Sequence, residues 1–294
     1  MSHLRILLFG FAWLLAFAGC VTETLDNTPP VPTPSTSQMG ADFDSKSVTT
    51  IHGRAIWHGD VPKAEEQVTR RIAFNHRMHL HPARWTTRHV PKVDAASNGI
   101  ENAVVYLRTI DSRRAKPWDH EPVRIEIDDH RLAIHQGKRE SGVGFVRLGE
   151  TLDIVNIDTK YHNLRAGGAA FFGLPMFKPD VVHQKTFTQA GLVDLRCTAG
   201  YYWLHAHLFV VEHPYYVQTD STGRFELSKV PPGEYDAVCW LPSWHVEREE
   251  RCPATGIIAR IAWKPPVEHV QRIRVAAGES VTVDFRWDVV QFGK

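Results

Sequence analysis

The feature that most constrains this chain is a period of two in its hydrophobic pattern. Val123-Arg-Ile-Glu-Ile-Asp alternates apolar and polar side chains, which is what a half-buried strand requires. Thr49-Thr-Ile-His-Gly-Arg-Ala-Ile-Trp-His reads as a strand ending at the Gly59-Asp60 turn. Asn102-Ala-Val-Val-Tyr-Leu-Arg is strongly apolar. Phe145 to Asn156 supplies two strands split at Gly149. Lys185-Thr-Phe, Leu192 to Cys197 and Leu204 to Val211 continue the series. Residues 62–92 read as polar and irregular. Past His213-Pro214 the pattern becomes tighter, with strand–turn–strand signals at Thr219 to Leu227, Val230-Pro-Pro-Gly233-Glu-Tyr235 and Val270 to Trp287. Helical periodicity is nowhere sustained over three turns, so the expected class is all-β, built as sandwiches.

The charge balance of 34 Lys+Arg against 33 Asp+Glu gives no basic excess, so no nucleic-acid partner is expected. Met1 to Arg5 is a short basic segment, and Ile6 to Phe17 is an apolar run too short to span a bilayer. The run ends Leu15-Ala-Phe-Ala-Gly19-Cys20, which resembles a bacterial lipobox. Residues 1–19 are therefore expected to be a lipoprotein signal peptide, with Cys20 lipidated. This implies a chain carried across the inner membrane and held by its lipid in the cell envelope, at the outer membrane or facing the periplasm. Residues 20–48 contain Thr-Pro-Pro-Val-Pro-Thr-Pro-Ser-Thr-Ser, an extended tether that cannot bury a core.

The chemistry concentrates in a few residues. Asn156-Ile-Asp158-Thr-Lys-Tyr-His162-Asn163 and the loop after Cys197 stand in the order of a blue-copper site, which needs two imidazoles and a thiolate in a plane with a weak axial group. After Cys197, however, Tyr201 and Leu204 stand where His and Met are sought. His205 and His207 come next and point to one face if Leu204 to Val211 is a strand. His162, Cys197, His205 and His207 are thus the candidate remnant copper ligands. With Tyr201, Tyr202 and Trp203 filling the space, the leading expectation is no cofactor, with copper the alternative. His76, Met78, His79 and His81 form a rival soft-ligand segment. In an oxidising compartment Cys239 and Cys252 are a candidate disulfide, the other reading being two separate buried thiols. No Gly-x-Ser-x-Gly elbow, phosphate-cradling loop or His-Glu-x-x-His is present, so no enzyme is expected.

On these motifs, residues 49–213 resemble a plastocyanin/azurin-like cupredoxin of the methylamine-utilisation-like type. The resemblance rests on Ile51-His-Gly-Arg-Ala-Ile-Trp, Ala103-Val-Val-Tyr-Leu, Asn156…Asp158…His162-Asn163 and the Cys197 loop. Residues 214–290 resemble a carboxypeptidase regulatory-like domain through Thr219-Asp220…Gly223…Phe225…Val230-Pro-Pro-Gly233…Tyr235. The resemblance implies a Greek-key cupredoxin sandwich followed by a smaller transthyretin-type, carbohydrate-binding-like sandwich. It implies a non-enzymatic binding or structural module with a degenerate copper site. One alternative is a copper-binding electron carrier using His162 and Cys197 with a non-standard third ligand, serving a redox partner or another envelope protein. A further alternative is carbohydrate or peptide binding by the second sandwich, with Tyr215, Tyr216, Trp244 and Trp263 as stacking platforms.

Overall fold

The period-two expectation is met. The computed structural model describes residues 40–73, 79–251, 253 and 258–293, and these are almost entirely strands and loops. Strands are numbered here in chain order. Strands β1 (Thr49–Trp57), β18 (Arg224–Val230), β23 (Val281–Thr282) and β24 (Phe285–Trp287) make one sheet. Strands β6 (Val104–Arg108), β17 (Tyr216–Gln218), β19 (Gly233–Leu241) and β22 (Val267–Val275) make the sheet facing it. Between them lies a core of Ile51, Val105, Leu107, Tyr215, Phe285 and Trp287, all fully buried.

A second sandwich pairs two five-stranded sheets. One has the order β10 (Val143–Arg147), β16 (His205–Val211), β15 (Gly191–Cys197), β12 (His162–Gly168), β13 (Phe172–Met176). The other runs β14 (Val182–Thr186), β11 (Thr151–Asn156), β7 (Val123–Ile127), β8 (Leu132–Gln136), β9 (Arg139–Ser141). Ile125, Ile134, Ile154, Leu164, Leu195 and Leu208 fill the space between. Three small hairpins complete the set. These are β2 (Gln67–Ala73) with β3 (His79–Trp85), β4 (Lys92–Val93) with β5 (Ile100–Glu101), and β20 (Val246–Arg251) with β21 (Ile258–Trp263).

The expected boundary at residues 213 and 214 is not where the sheets divide. β1 pairs antiparallel with β18 and parallel with β23 and β24, and β6 lies between β17 and β19. The segment 123–211 is thus inserted between β6 and β17 of the other sandwich. Neighbouring strands usually pair in sequence order, and that expectation fails where one module interrupts another. The same insertion explains two apolar runs. Val104 and Tyr106 of β6 and Val238 and Trp240 of β19 turn away from their own core and meet Val143, Phe145, Phe209 and Val211 of the inserted sandwich. A sheet covered on both faces reads as continuous apolar sequence rather than as alternation. The stretch expected to be irregular, residues 62–92, contains β2 and β3, whose hairpin carries too little alternation to be read as strands.

Candidate metal centre

β12 and β15 lie side by side, with Leu164 opposite Cys197, and bring the first two sequence candidates together. Cys197 Sγ lies 3.7 Å from His162 Nδ1. Two ligands of one metal at 120°, with metal–sulfur and metal–nitrogen bonds of ordinary length, are separated by about 3.7 Å. His162 is fully buried, and its Nε2 reaches Asp158 Oδ1 at 3.1 Å. Burial lowers the His162 pKa, with Asp158 opposing, and burial raises that of the Cys197 thiol. The Asn156 to Asn163 run is the scaffold for this pair. Asn156 Nδ2 donates to Lys160 O at 2.8 Å, and Asn163 Nδ2 donates to Thr198 Oγ1 at 2.9 Å.

A type 1 copper site does not fit here. It needs a second imidazole in the plane. The Tyr201 ring sits 4.6 Å from the His162 ring and edge-on to Trp203 at 5.6 Å. Trp203 is pinned by its indole N–H, which donates to Asp129 O at 2.7 Å. Tyr201 and Leu204 are both buried in the same core as Cys197. The remaining candidates lie on the other face of the sheet. Ala206, Leu208 and Val210 of β16 point into the inserted sandwich, so His205 and His207 point out of it, as period two demands. The four expected ligands therefore separate into two pairs.

His205 and His207 meet a third imidazole there. His89, in the loop after β3, is 8% exposed. The three rings each offer a nitrogen, all within 4.8 Å of one another. Asp194 stands opposite His207 across the β15–β16 pair, and Arg196 opposite His205. His205 Nε2 hydrogen-bonds Asp194 Oδ1 and Arg196 Nη1 reaches Asp194 Oδ2 at 3.1 Å. Against burial, which raises it, His205 holds the Asp194 carboxyl well below the usual range, with His207 and then Arg196 adding to the effect. His89 Nδ1 is 3.0 Å from the Ser243 carbonyl. Burial is the largest cause that lowers the pKa of His89 well below its ordinary value, with His205 and His207 adding to it, and burial takes His207 to about 3. The rings of His89 and Trp263 contact at 5.1 Å, and those of His207 and Trp240 at 5.0 Å.

These partners fix the tautomers. A carbonyl only accepts, so His89 carries its proton on Nδ1. An ionised carboxylate also accepts, so His205 carries one on Nε2. The atoms left facing each other are His205 Nδ1 and His89 Nε2, 2.7 Å apart. In neutral rings both are lone pairs, which repel unless a proton or a metal ion lies between them. Second-partner hydrogen bonds of this kind, to a carboxylate and a backbone carbonyl, are the usual supports of metal-bound imidazoles. Three imidazoles and one open position is a recurrent zinc arrangement, with nitrogen–nitrogen separations of about 3.3 Å. The 2.7 Å pair would open by about 0.6 Å to accept an ion.

The other sequence candidates fall elsewhere. Cys239 is fully buried in the core of β19, with burial pushing its thiol pKa up to about 12, and the expected disulfide partner, Cys252, lies outside the described residues. Cys252, Cys20, His76 and Met78 lie outside the described residues, as do the side chains of His79 and His81. The aromatics proposed as a sugar platform form no row. Tyr215 is fully buried, and Tyr216 stacks on Tyr106 at 4.8 Å. Trp244 packs on Phe292 at 4.4 Å, and Trp263 on His89. Sequence reasoning missed His89 and Asp194. His89 lies in a stretch without periodicity. Asp194 looks like an ordinary outward position of an alternating strand.

No family model matches the chain, and no curated protein does. Among solved structures the chain is similar to amicyanin from Paracoccus versutus (Thiobacillus versutus), at 21% identity over 33% of this chain and 95% of that one, with a TM-score of 0.25. A reduced amicyanin mutant matches at 20% identity over 36% of this chain and 98% of that one, with a TM-score of 0.26. Such scores leave the functional argument to the residues themselves.

Proposed function

We propose that this chain is a non-enzymatic, metal-binding module of a bacterial envelope, anchored through Cys20, in which the cupredoxin-type copper position is plugged. Metal binding has moved to the opposite face of the same sheet, where His89, His205 and His207 converge. The observation that carries this reading is that His205 Nδ1 and His89 Nε2 face each other 2.7 Å apart, with His207 beside them. Neutral imidazoles suit Zn2+ and Cu2+. A site between two sandwiches would tie β16 of the insert to the loops after β3 and β19, so the ion would stabilise the chain by binding only the folded state.

The test is calorimetric titration of the full, metal-free chain with Zn2+ and with Cu2+, alongside His89→Ala and His207→Ala. One equivalent should bind, with affinity reduced at least 100-fold in each variant. The Cys197→Ser chain should bind as the wild type does. Stoichiometric binding that survives both histidine variants, or no binding, contradicts the proposal.

A further inference from the structure

Beside the three imidazoles lies a cleft of about 260 Å³. His205 and His207 form part of its wall, and Trp263, Pro265 and Pro266 supply an apolar side. Arg196, Arg260 and Lys264 also line it, against the carboxylates of Asp194 and Glu247. Arg260 reaches Glu250 at 3.4 Å, and Asp194 is already held by His205 and Arg196. One polar atom here lacks any partner. Arg196 Nε is buried and makes no hydrogen bond, although Nη1 of the same guanidinium reaches Asp194. A buried N–H without an acceptor is costly, and each instance in a folded protein asks for a reason.

The geometry points to an anion site: we propose that the cleft binds a small oxyanion, a carboxylate or a phosphate, whose oxygens bridge the ion held by His89, His205 and His207 and the Nε–H of Arg196. This rests on the metal reading above. A bound divalent ion adds two positive charges to a wall that already carries three cationic side chains and two carboxylates. A guanidinium N–H to an anionic oxygen is among the stronger hydrogen bonds, and the ion–oxygen bond fills the open position. The size of the cleft sets the ligand class. It falls below the roughly 300–1,000 Å³ of drug-sized pockets, so the ligand is small. Metal and anion must then favour each other by the same factor.

Co2+ is the probe, because its visible bands report the fourth ligand. The full chain is titrated with Co2+ alone, with acetate and with phosphate, the two anions as separate arms. At least one anion should shift the bands saturably and raise Co2+ affinity at least tenfold, and metal-free protein should bind that anion at least tenfold more weakly. Arg196→Lys keeps the charge but loses Nε–H, and should lose most of that tenfold gain. Failure of Co2+ to bind overturns the metal reading and this one with it. Co2+ binding with bands and affinity unmoved by both anions overturns the anion site alone, as does an unchanged response in Arg196→Lys. The wild-type comparison stands even if the variant fails to fold.

Discussion

Tyr201→Ala tests whether an aromatic plug has replaced the copper site. Tyr201 is 4% exposed, and its ring lies against His162 at 4.6 Å and Trp203 at 5.6 Å. Truncating a buried aromatic ring to Ala costs about 3–5 kcal/mol, the transfer term plus the void left behind. For a chain of this size that lowers Tm by about 10 °C. Tyr201→Phe keeps the ring and should cost about 1 kcal/mol, the scale of one hydrogen bond. The void opens beside Cys197, so the thiol should react with a disulfide reagent many times faster in Tyr201→Ala than in the wild type, where burial keeps it protonated and shielded. Calorimetry and thiol titration read the two effects. A Tyr201→Ala loss below about 1 kcal/mol with Cys197 still protected would refute the plug.

Other regions give independent expectations. Burial lowers the His213 pKa from 6.5 to about 4, and neutral Nδ1 accepts from Tyr215 N–H at 3.4 Å. The unfolded chain therefore binds the extra proton first. The stabilisation is complete above pH 6.5 and is lost as pH falls through 4, by up to about 3 kcal/mol, so urea melts of His213→Asn should show a shallower acid decline than the wild type. A steeper or equal decline contradicts this. Gly53 of β1 passes so close to its neighbour that an added Cβ would sit 1.8 Å from Val283 O. Gly53→Ala should cost about 3 kcal/mol or more and open the C-terminal strands to limited proteolysis, and a stable, resistant variant would show that β1 does not clasp β23. Cys20→Ala should release the chain from the membrane fraction or leave it unprocessed, and unchanged processing and fractionation would refute the anchor.

Much of the fold was legible because its cause is local. β7 and β1 alternate, and each buries one face. Val104 to Leu107 of β6 and Leu208 to Val211 of β16 read as unbroken apolar runs, a pattern that signals burial on both sides but does not say what covers each. That the cover is another sandwich, inserted in the chain, is a matter of long-range pairing that no window of sequence records. The site divides the same way. His205 and His207 share a face by strand period alone, and Tyr201 and Leu204 announce missing ligands. Which side of the sheet those histidines take depends on the parity of β16 against its core. His89 and Asp194 join them only through tertiary packing and cross-strand register.

The most direct test of the central claim is the visible spectrum of the metal-free chain with one equivalent of Cu2+, recorded for the wild type and for Cys197→Ser. Copper held by His89, His205 and His207 sees nitrogen and oxygen ligands and no thiolate. Both proteins should then show the same weak ligand-field absorption, with no intense thiolate-to-copper band. An intense band in the wild type that vanishes in Cys197→Ser would place copper at His162 and Cys197 and contradict the account.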